Sequence, residues 1–146
     1  PAVGRAPEEL EALCLGLAVT GARGLILQIG TAPPADYRHL AERLGRWAPL
    51  LRAPYSGAEV RPGPPLALWS LRTERFDDYL LLVNPTGEPL RTDLTGARGY
   101  AAVDAETGEE FRDPFGGEPE VVLGPYQARA LRLAPPDVEE EQENAP

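Results

Sequence analysis

The sequence contains no lysine, no methionine, one cysteine and one histidine, and no apolar run of the roughly 18 residues that a membrane helix needs. Each absence removes a class of function. With Cys14 alone, no intrachain disulfide can form, and its place in an apolar helical pattern reads as a buried thiol. With His39 alone, the several ligands at fixed spacing that a zinc site wants are missing. The 14 basic residues, all arginine, are spread out, and a formal net charge of −9 argues against nucleic acid, which needs clustered bases to displace counterions. The N-terminus lacks the charged-then-apolar pattern of a secretory leader. A Gly-x-Ser-x-Gly elbow and a phosphate loop ending in Gly-Lys are also absent, which removes the usual signatures of nucleophilic and nucleotide chemistry.

What is present is a globular composition rich in turns. Hydrophobic residues make up 42% and charged residues 25%, while 17 prolines and 15 glycines predict many chain reversals. A length of 146 residues fits one ordinary domain, or a small domain preceded by a piece of another. The acidity is partly local, since Asp137, Glu139, Glu140, Glu141 and Glu143 lie at the end with no base among them. That tail, residues 135–146, is expected to be disordered.

Residues Pro7 to Thr20 read as a helix. Pro7 suits a first turn, Glu8 and Glu9 suit its positive end, Leu10, Leu13, Cys14 and Leu17 share one face, and Gly21 stops it. Leu25 to Ile29 follows as a strand apolar on both faces, the kind a helix-covered sheet contains. From Pro33 to Leu51 a second helix places Tyr37, Leu40, Ala41, Leu44, Trp47, Ala48 and Leu51 on an apolar side, and Asp36, Arg38, Glu42, Arg43 and Arg46 on the polar side. Pro49 is expected to end or kink it a turn early. Helix, strand, helix is one α/β unit, and a single buried strand needs neighbours that this sequence does not supply.

Beyond residue 57 the pattern changes. Residues 57–65 read as a Pro/Gly linker, and strands are expected near Leu66–Thr73, Tyr79–Asn84, Leu90–Leu94, Tyr100–Asp104, Glu110–Asp113, Glu120–Leu123 and Gln127–Leu133. The segments Asn84-Pro85-Thr86-Gly87, Glu106-Thr107-Gly108, Gly116-Gly117 and Gly124-Pro125 supply the turns. About seven short antiparallel strands at this spacing predict a sandwich over residues 66–134. In the last of them Ala128, Ala130, Leu131 and Leu133 alternate imperfectly with Gln127, Arg129 and Arg132, which predicts one core face and one wet or partly covered face. Thr20-Gly-Ala-Arg-Gly24 recurs as Thr95-Gly-Ala-Arg-Gly99, which reads as shared turn chemistry and not as a repeat.

The passage EALCLGLAVTGARGLILQIG resembles the last helix-to-strand passage of (β/α)8 glycoside hydrolases, and YRHLAERLGRWAPLL resembles their closing helix. The stretches DYLLLVNPTGEPLRTDLTG, AVDAETGEEF and VVLGPYQARALRL resemble the β-sandwich appended to many such barrels. The resemblance implies an α+β chain in which residues 1–56 are the terminal helix-strand-helix unit of a barrel and the rest is its C-terminal sandwich. It implies a start upstream of Pro1, a glycosidic reaction carried by two carboxylates outside this sequence, no cofactor and no metal. At the mouth of the eighth strand, where barrels of this type often place an aromatic, it puts Gln28, a candidate substrate-binding group.

Within the chain, two carboxyls held about 5–9 Å apart across a glycosidic bond are not evident. Asp36 reads as a charge near a helix start, and Asp77-Asp78 and Glu109-Glu110 read as solvated turn residues, since neighbours in a strand point to opposite faces. Trp69, Tyr79, Tyr100, Phe111, Phe115 and Tyr126 pose a choice between a sugar-stacking platform and ordinary core pairing. The expected function is that of a non-catalytic C-terminal part of a glycoside hydrolase-like protein, whose sandwich steadies the barrel. The alternative is a free-standing sandwich module that binds carbohydrate or protein. The expected partner is an upstream barrel or a carbohydrate, with no nucleic acid and no membrane.

Overall fold

The computed structural model describes residues 7–21, 34–65 and 67–136. The described residues form two helices, α1 (Pro7–Val19) and α2 (Pro34–Leu51), and eight strands. These are β1 (Arg61–Pro62), β2 (Leu68–Glu74), β3 (Asp77–Val83), β4 (Leu90–Thr95), β5 (Ala101–Asp104), β6 (Glu110–Arg112), β7 (Glu120–Leu123) and β8 (Ala128–Ala134). The expected strand Leu25–Ile29, with Gln28, lies outside the described residues, as do residues 137–146 of the tail.

Among the described residues every strand pairing is antiparallel. One sheet has the order β1-β4-β7 and the other β2-β3-β8-β5-β6, so the fold is α+β with a sandwich, as the turn spacing predicts. The segment expected as a linker is partly structural: Arg61 and Pro62 pair with Thr95 and Leu94, and Gly63 N–H donates to Asp93 O at 2.7 Å. Proline is tolerated there because β1 is an edge strand and needs few main-chain donors.

Period-two alternation explains how two cores share one sheet. Along β3, Leu80 and Leu82 enter the sandwich interior with Leu94, Val121, Leu123 and Leu131, while Leu81 and Val83 face the other way. There they meet Ala128 and Ala130 of β8 together with Ala12, Leu15 and Val19 of α1 and Trp47 and Leu50 of α2. The helices therefore lie directly on the outer face of the larger sheet. This explains why β8 is covered on both faces where one wet or partly covered face was expected, and why Leu80 to Val83 is an unbroken, fully buried apolar run.

Three further expectations are corrected. In α1 the buried positions include Ala12, Cys14, Leu15, Gly16 and Val19, while Leu13 and Leu17 are 40% and 44% exposed. The sheet-facing side is the one with the smallest residues, because Gly16 lets the helix approach until a Cβ there would stand 2.6 Å from Leu68 Cδ1. In α2, Ala41 is exposed, and Pro49 neither ends the helix nor shortens it, since the helix continues to Leu51. A proline two residues from the end forfeits only one bond of the last turn.

The two Thr-Gly-Ala-Arg-Gly segments share a feature that accounts for their likeness: Gly21 (φ 113°) and Gly96 (φ 90°) both adopt positive φ, one after a helix and one after a strand.

Candidate functional site at the helix–sheet junction

The hairpin between β5 and β6 is built to present one side chain. Asp104 Oδ1 accepts hydrogen bonds from the N–H groups of Glu106 (2.8 Å) and Thr107 (3.1 Å), and Thr107 Oγ1 accepts one from Glu109 N–H (3.2 Å). Gly108, at φ 78°, closes the turn by donating to Asp104 O at 2.8 Å, and Ala105 N–H is anchored on Ala130 O at the same distance. Such a side-chain-stapled turn is rigid. It holds Glu106 against α2.

Glu106 Oε1 accepts from Trp47 Nε1 at 2.8 Å, Arg43 Nη2 at 2.9 Å and Arg43 Nε at 3.2 Å, and Oε2 accepts from Arg46 Nε at 3.2 Å. Arg43 also donates to Glu11 Oε1 of α1 at 2.7 Å and to Ala128 O of β8, and its guanidinium lies 5.4 Å from the Trp47 ring centroid. His39 stands 3.3 Å from Glu11 Oε2. One half-buried arginine thus ties both helices to the hairpin and to the strand beneath. Burial works to raise the Glu106 carboxyl, but Arg43, Trp47 and Arg46 outweigh it and hold it below its ordinary value of 4.5. Burial likewise opposes the charge on Arg43, and Glu106 and Glu11 more than restore it.

Behind the hairpin a second arginine joins the two sheets. Arg129 donates to Asp104 Oδ2 at 2.9 Å and to Val122 O at 3.0 Å, lies 2.8 Å from Glu109 Oε2, and stands 4.9 Å from the Phe111 ring centroid. Asp104 therefore spends one oxygen on the turn and the other on the clamp. General acid–base work needs carboxyls whose pKa values are pushed apart, one of them upward. The cluster lowers Glu106 instead, and both oxygens of Glu106 and of Asp104 are taken up by named donors, which is the geometry of a fastening.

The residues singled out from the sequence are distributed, and they do not converge. Gln28 lies outside the described residues. Asp78 Oδ1 accepts from Ser56 Oγ (2.7 Å) and Thr73 Oγ1 (2.8 Å), and Asp77 faces Glu74 across the β2–β3 turn. Glu109 turns to Arg129 whereas Glu110 turns to Arg112. Trp69, Tyr100 and Phe111 pack on the sandwich interior, Tyr79 and Tyr126 pack beneath the helices, and Phe115 is fully exposed, so the six aromatics form no common platform. Among the described residues no group of three or more His, Cys, Asp or Glu is placed to hold a metal. Cys14 is buried, and burial first, then the nearby charge of Glu11, pushes its thiol up.

Glu106 and Arg43 were not legible as partners. They are 63 positions apart, and Arg43 falls in the polar stripe of α2 by spacing alone. The one signal was the Arg43–Trp47 spacing of four, which places a cation on the same side as the buried indole.

Residues 67–131 match the family model described as the C-terminal immunoglobulin-like domain of D-apionate lactonase. No curated protein matches the chain. Among solved structures, an α-amylase from Geobacillus thermoleovorans complexed with acarbose aligns at 16% identity and TM-score 0.57, over 88% of this chain and 34% of that one. AmyP in complex with maltose aligns at 13% and 0.55, over 86% and 34%. A variant of AmyP in complex with maltotriose aligns at 15% and 0.59, over 89% and 35%. These identities show shared fold alone. The alignments reach well past the sandwich, so they take in the helical layer, and the chain spans about a third of those proteins' length.

Proposed function

We propose that the chain is the non-catalytic C-terminal part of a glycoside hydrolase-like protein, in which the sandwich and its two helices brace a catalytic barrel. The observation that carries this reading is the two-sidedness of α1. One side rests on the larger sheet through Ala12, Leu15, Gly16 and Val19, while Leu13 and Leu17 are left 40% and 44% exposed one turn apart. A helix apolar on both sides is an interlayer helix. The match of the sandwich to a family model of a C-terminal domain, and an alignment over a third of α-amylase chains, favour a barrel as the layer that would cover this side.

Replacing Leu13 and Leu17 together by serine tests it. In the protein expressed with its upstream coding region, the pair of substitutions lowers stability by about 2–5 kcal/mol, as removing buried leucines does. In the 146-residue chain alone the change is smaller, about 1–2 kcal/mol, because both side chains are already partly exposed there. Equal effects in both contexts would remove the reading.

The family match favours a second parent, a lactonase acting on the lactone of a sugar acid, because it is a match of sequence and not of fold alone. Assaying the longer protein on nitrophenyl glycosides and on D-apionate lactone separates the two. Turnover of neither, in a folded protein, would favour the stand-alone module.

A further inference from the structure

The larger sheet has a rim at which all five of its strands end or begin. Glu74 pairs with Asp77, Asp78 with Leu133, Ala134 with Ala101 and Ala101 with Arg112. The β2–β3 turn, the exit from β8, the entry to β5 and the exit from β6 therefore share one end. Neighbouring strands lie about 4.8 Å apart, so the rim is about 20 Å long, and β8 is its middle strand. Phe76, in the β2–β3 turn, stands about 7 Å to one side of β8, and Phe115, beyond β6, about 10 Å to the other. Exposed Pro135 and Pro136 lie between them.

Both rings are open to solvent, at 101% and 94% exposure, yet both turns that carry them are held. Phe76 sits in a two-residue hairpin loop of which only the first residue, Arg75, has positive φ (59°), the pattern of a type II′ turn. Phe115 sits in a turn stapled by Asp113, whose Oδ1 accepts from Phe115 N–H at 3.4 Å, Oδ2 from Gly117 N–H at 2.7 Å and O from Gly116 N–H at 3.1 Å. Gly99 N–H donates to Gly117 O at 2.9 Å and ties this turn to the rim. Turns fixed in this way lose little further freedom when a partner arrives.

The rim can meet itself. Its apolar groups lie on either side of a middle strand, so a two-fold axis normal to the sheet just beyond β8 brings Phe76 of each copy onto Phe115 of the other. Unlike ends then meet: Arg75, whose side chain is 85% exposed, comes within reach of the Phe115 ring of the second copy as a cation–π partner. An axis along the rim would instead set Arg75 on Arg75. Charge does not forbid the contact. Glu74–Arg75 (3.5 Å) and Glu110–Arg112 (2.9 Å) are paired and Arg98 offsets one of Asp77 and Asp113, which leaves the rim near neutral in a chain of formal charge −9. Two rings of about 150–250 Å² each, with Pro114, Pro135 and Pro136, offer roughly 600 Å² per copy. That is about 1,200 Å² in all, the lower bound of specific interfaces.

We propose that this rim is a self-association surface, through which two copies of the chain form a weak, closed, two-fold dimer with Phe76 on Phe115. The surface is the end of the sheet and not the outer side of α1, so failure of the dimer leaves the bracing role intact, and the reverse holds.

Sedimentation equilibrium of the 146-residue chain is expected to give a dimer with a Kd of about 10–500 µM. Phe76→Ser or Phe115→Ser weakens it about tenfold or more, and both positions lie outside the core. Leu13→Ser with Leu17→Ser leaves it unchanged. Under mild oxidation Phe76→Cys mixed with Phe115→Cys gives a cross-linked dimer, whereas neither variant alone does, and the unmodified chain, whose Cys14 is buried, gives none. A chain that stays monomeric to about 1 mM, even one whose rings enter phosphatidylcholine vesicles, would overturn the proposal. So would a dimer untouched by both phenylalanine substitutions, one lost with Leu13 and Leu17, or cross-linking by Phe76→Cys alone.

Discussion

Glu106 is a charge whose whole value lies in its partners. Its carboxylate is held below 4.5 by Arg43, Trp47 and Arg46 against the pull of burial. A carboxyl with a lowered folded pKa contributes stability that is fully present above its unfolded value and is lost as pH falls through the folded value. Glu106→Gln keeps the shape and removes the charge, so it is expected to cost about 1–3 kcal/mol at pH 7. In urea unfolding the gap to the unmodified protein should close as pH falls below 4.5; a gap unchanged at pH 3 would mean that the charge is not what binds the helices. Gly96 is the steric counterpart: at φ 90° a Cβ would stand 1.9 Å from Glu59 O, an overlap with backbone that cannot rotate away. Gly96→Ala should therefore cost about 3 kcal/mol, where an unstrained glycine-to-alanine change would gain a little. Thermal unfolding of that variant, compared with Gly57→Ala, where a Cβ would meet nothing within 4 Å, isolates the contact.

At the scale of elements, α2 is fixed along its length by Arg43 and at its end by Arg72, whose guanidinium donates to Leu51 O at 3.0 Å and Ala53 O at 2.9 Å. A cation on the last carbonyls suits the negative end of the helix. The cap matters more here because Pro49 cannot donate to the carbonyl four residues back. Arg72→Leu is expected to lower stability by about 2–3 kcal/mol and to reduce helical circular dichroism, and retained helicity would show that the end needs no cap. The strands were legible in sequence because turn residues such as Asn84 and Gly108 announce each reversal. Asn84 does so through its side chain, accepting from Thr86 N–H and donating to Glu88 O and Gly124 O. The sheet-facing side of α1 was not legible, because leucines surround it and the choice is made by Gly16, whose signal is close approach and not hydrophobicity. For the same reason the docking cluster stayed hidden: spacing reports which residues share a face, not what a distant hairpin brings to it.

At the largest scale the described residues form a three-layer stack in which the larger sheet serves two cores. Leu82 faces the sandwich interior and Leu81 faces the helices, and both are fully buried. Dependence on the helices can therefore be measured one side of β3 at a time. In the complete chain Leu81→Ala and Leu82→Ala should each cost about 2–5 kcal/mol. In a fragment of residues 54–136, which lacks both helices, Leu82→Ala should keep that cost while Leu81→Ala falls below about 1 kcal/mol, because its position is then wet. The same fragment exposes Leu81, Val83, Ala128 and Ala130 together, so it should bind a hydrophobic dye and self-associate where the complete chain does so less. If instead the fragment is monomeric and silent to the dye, with Leu81→Ala as costly as Leu82→Ala, the helices are ornaments on an autonomous sandwich and the bracing role loses its physical basis.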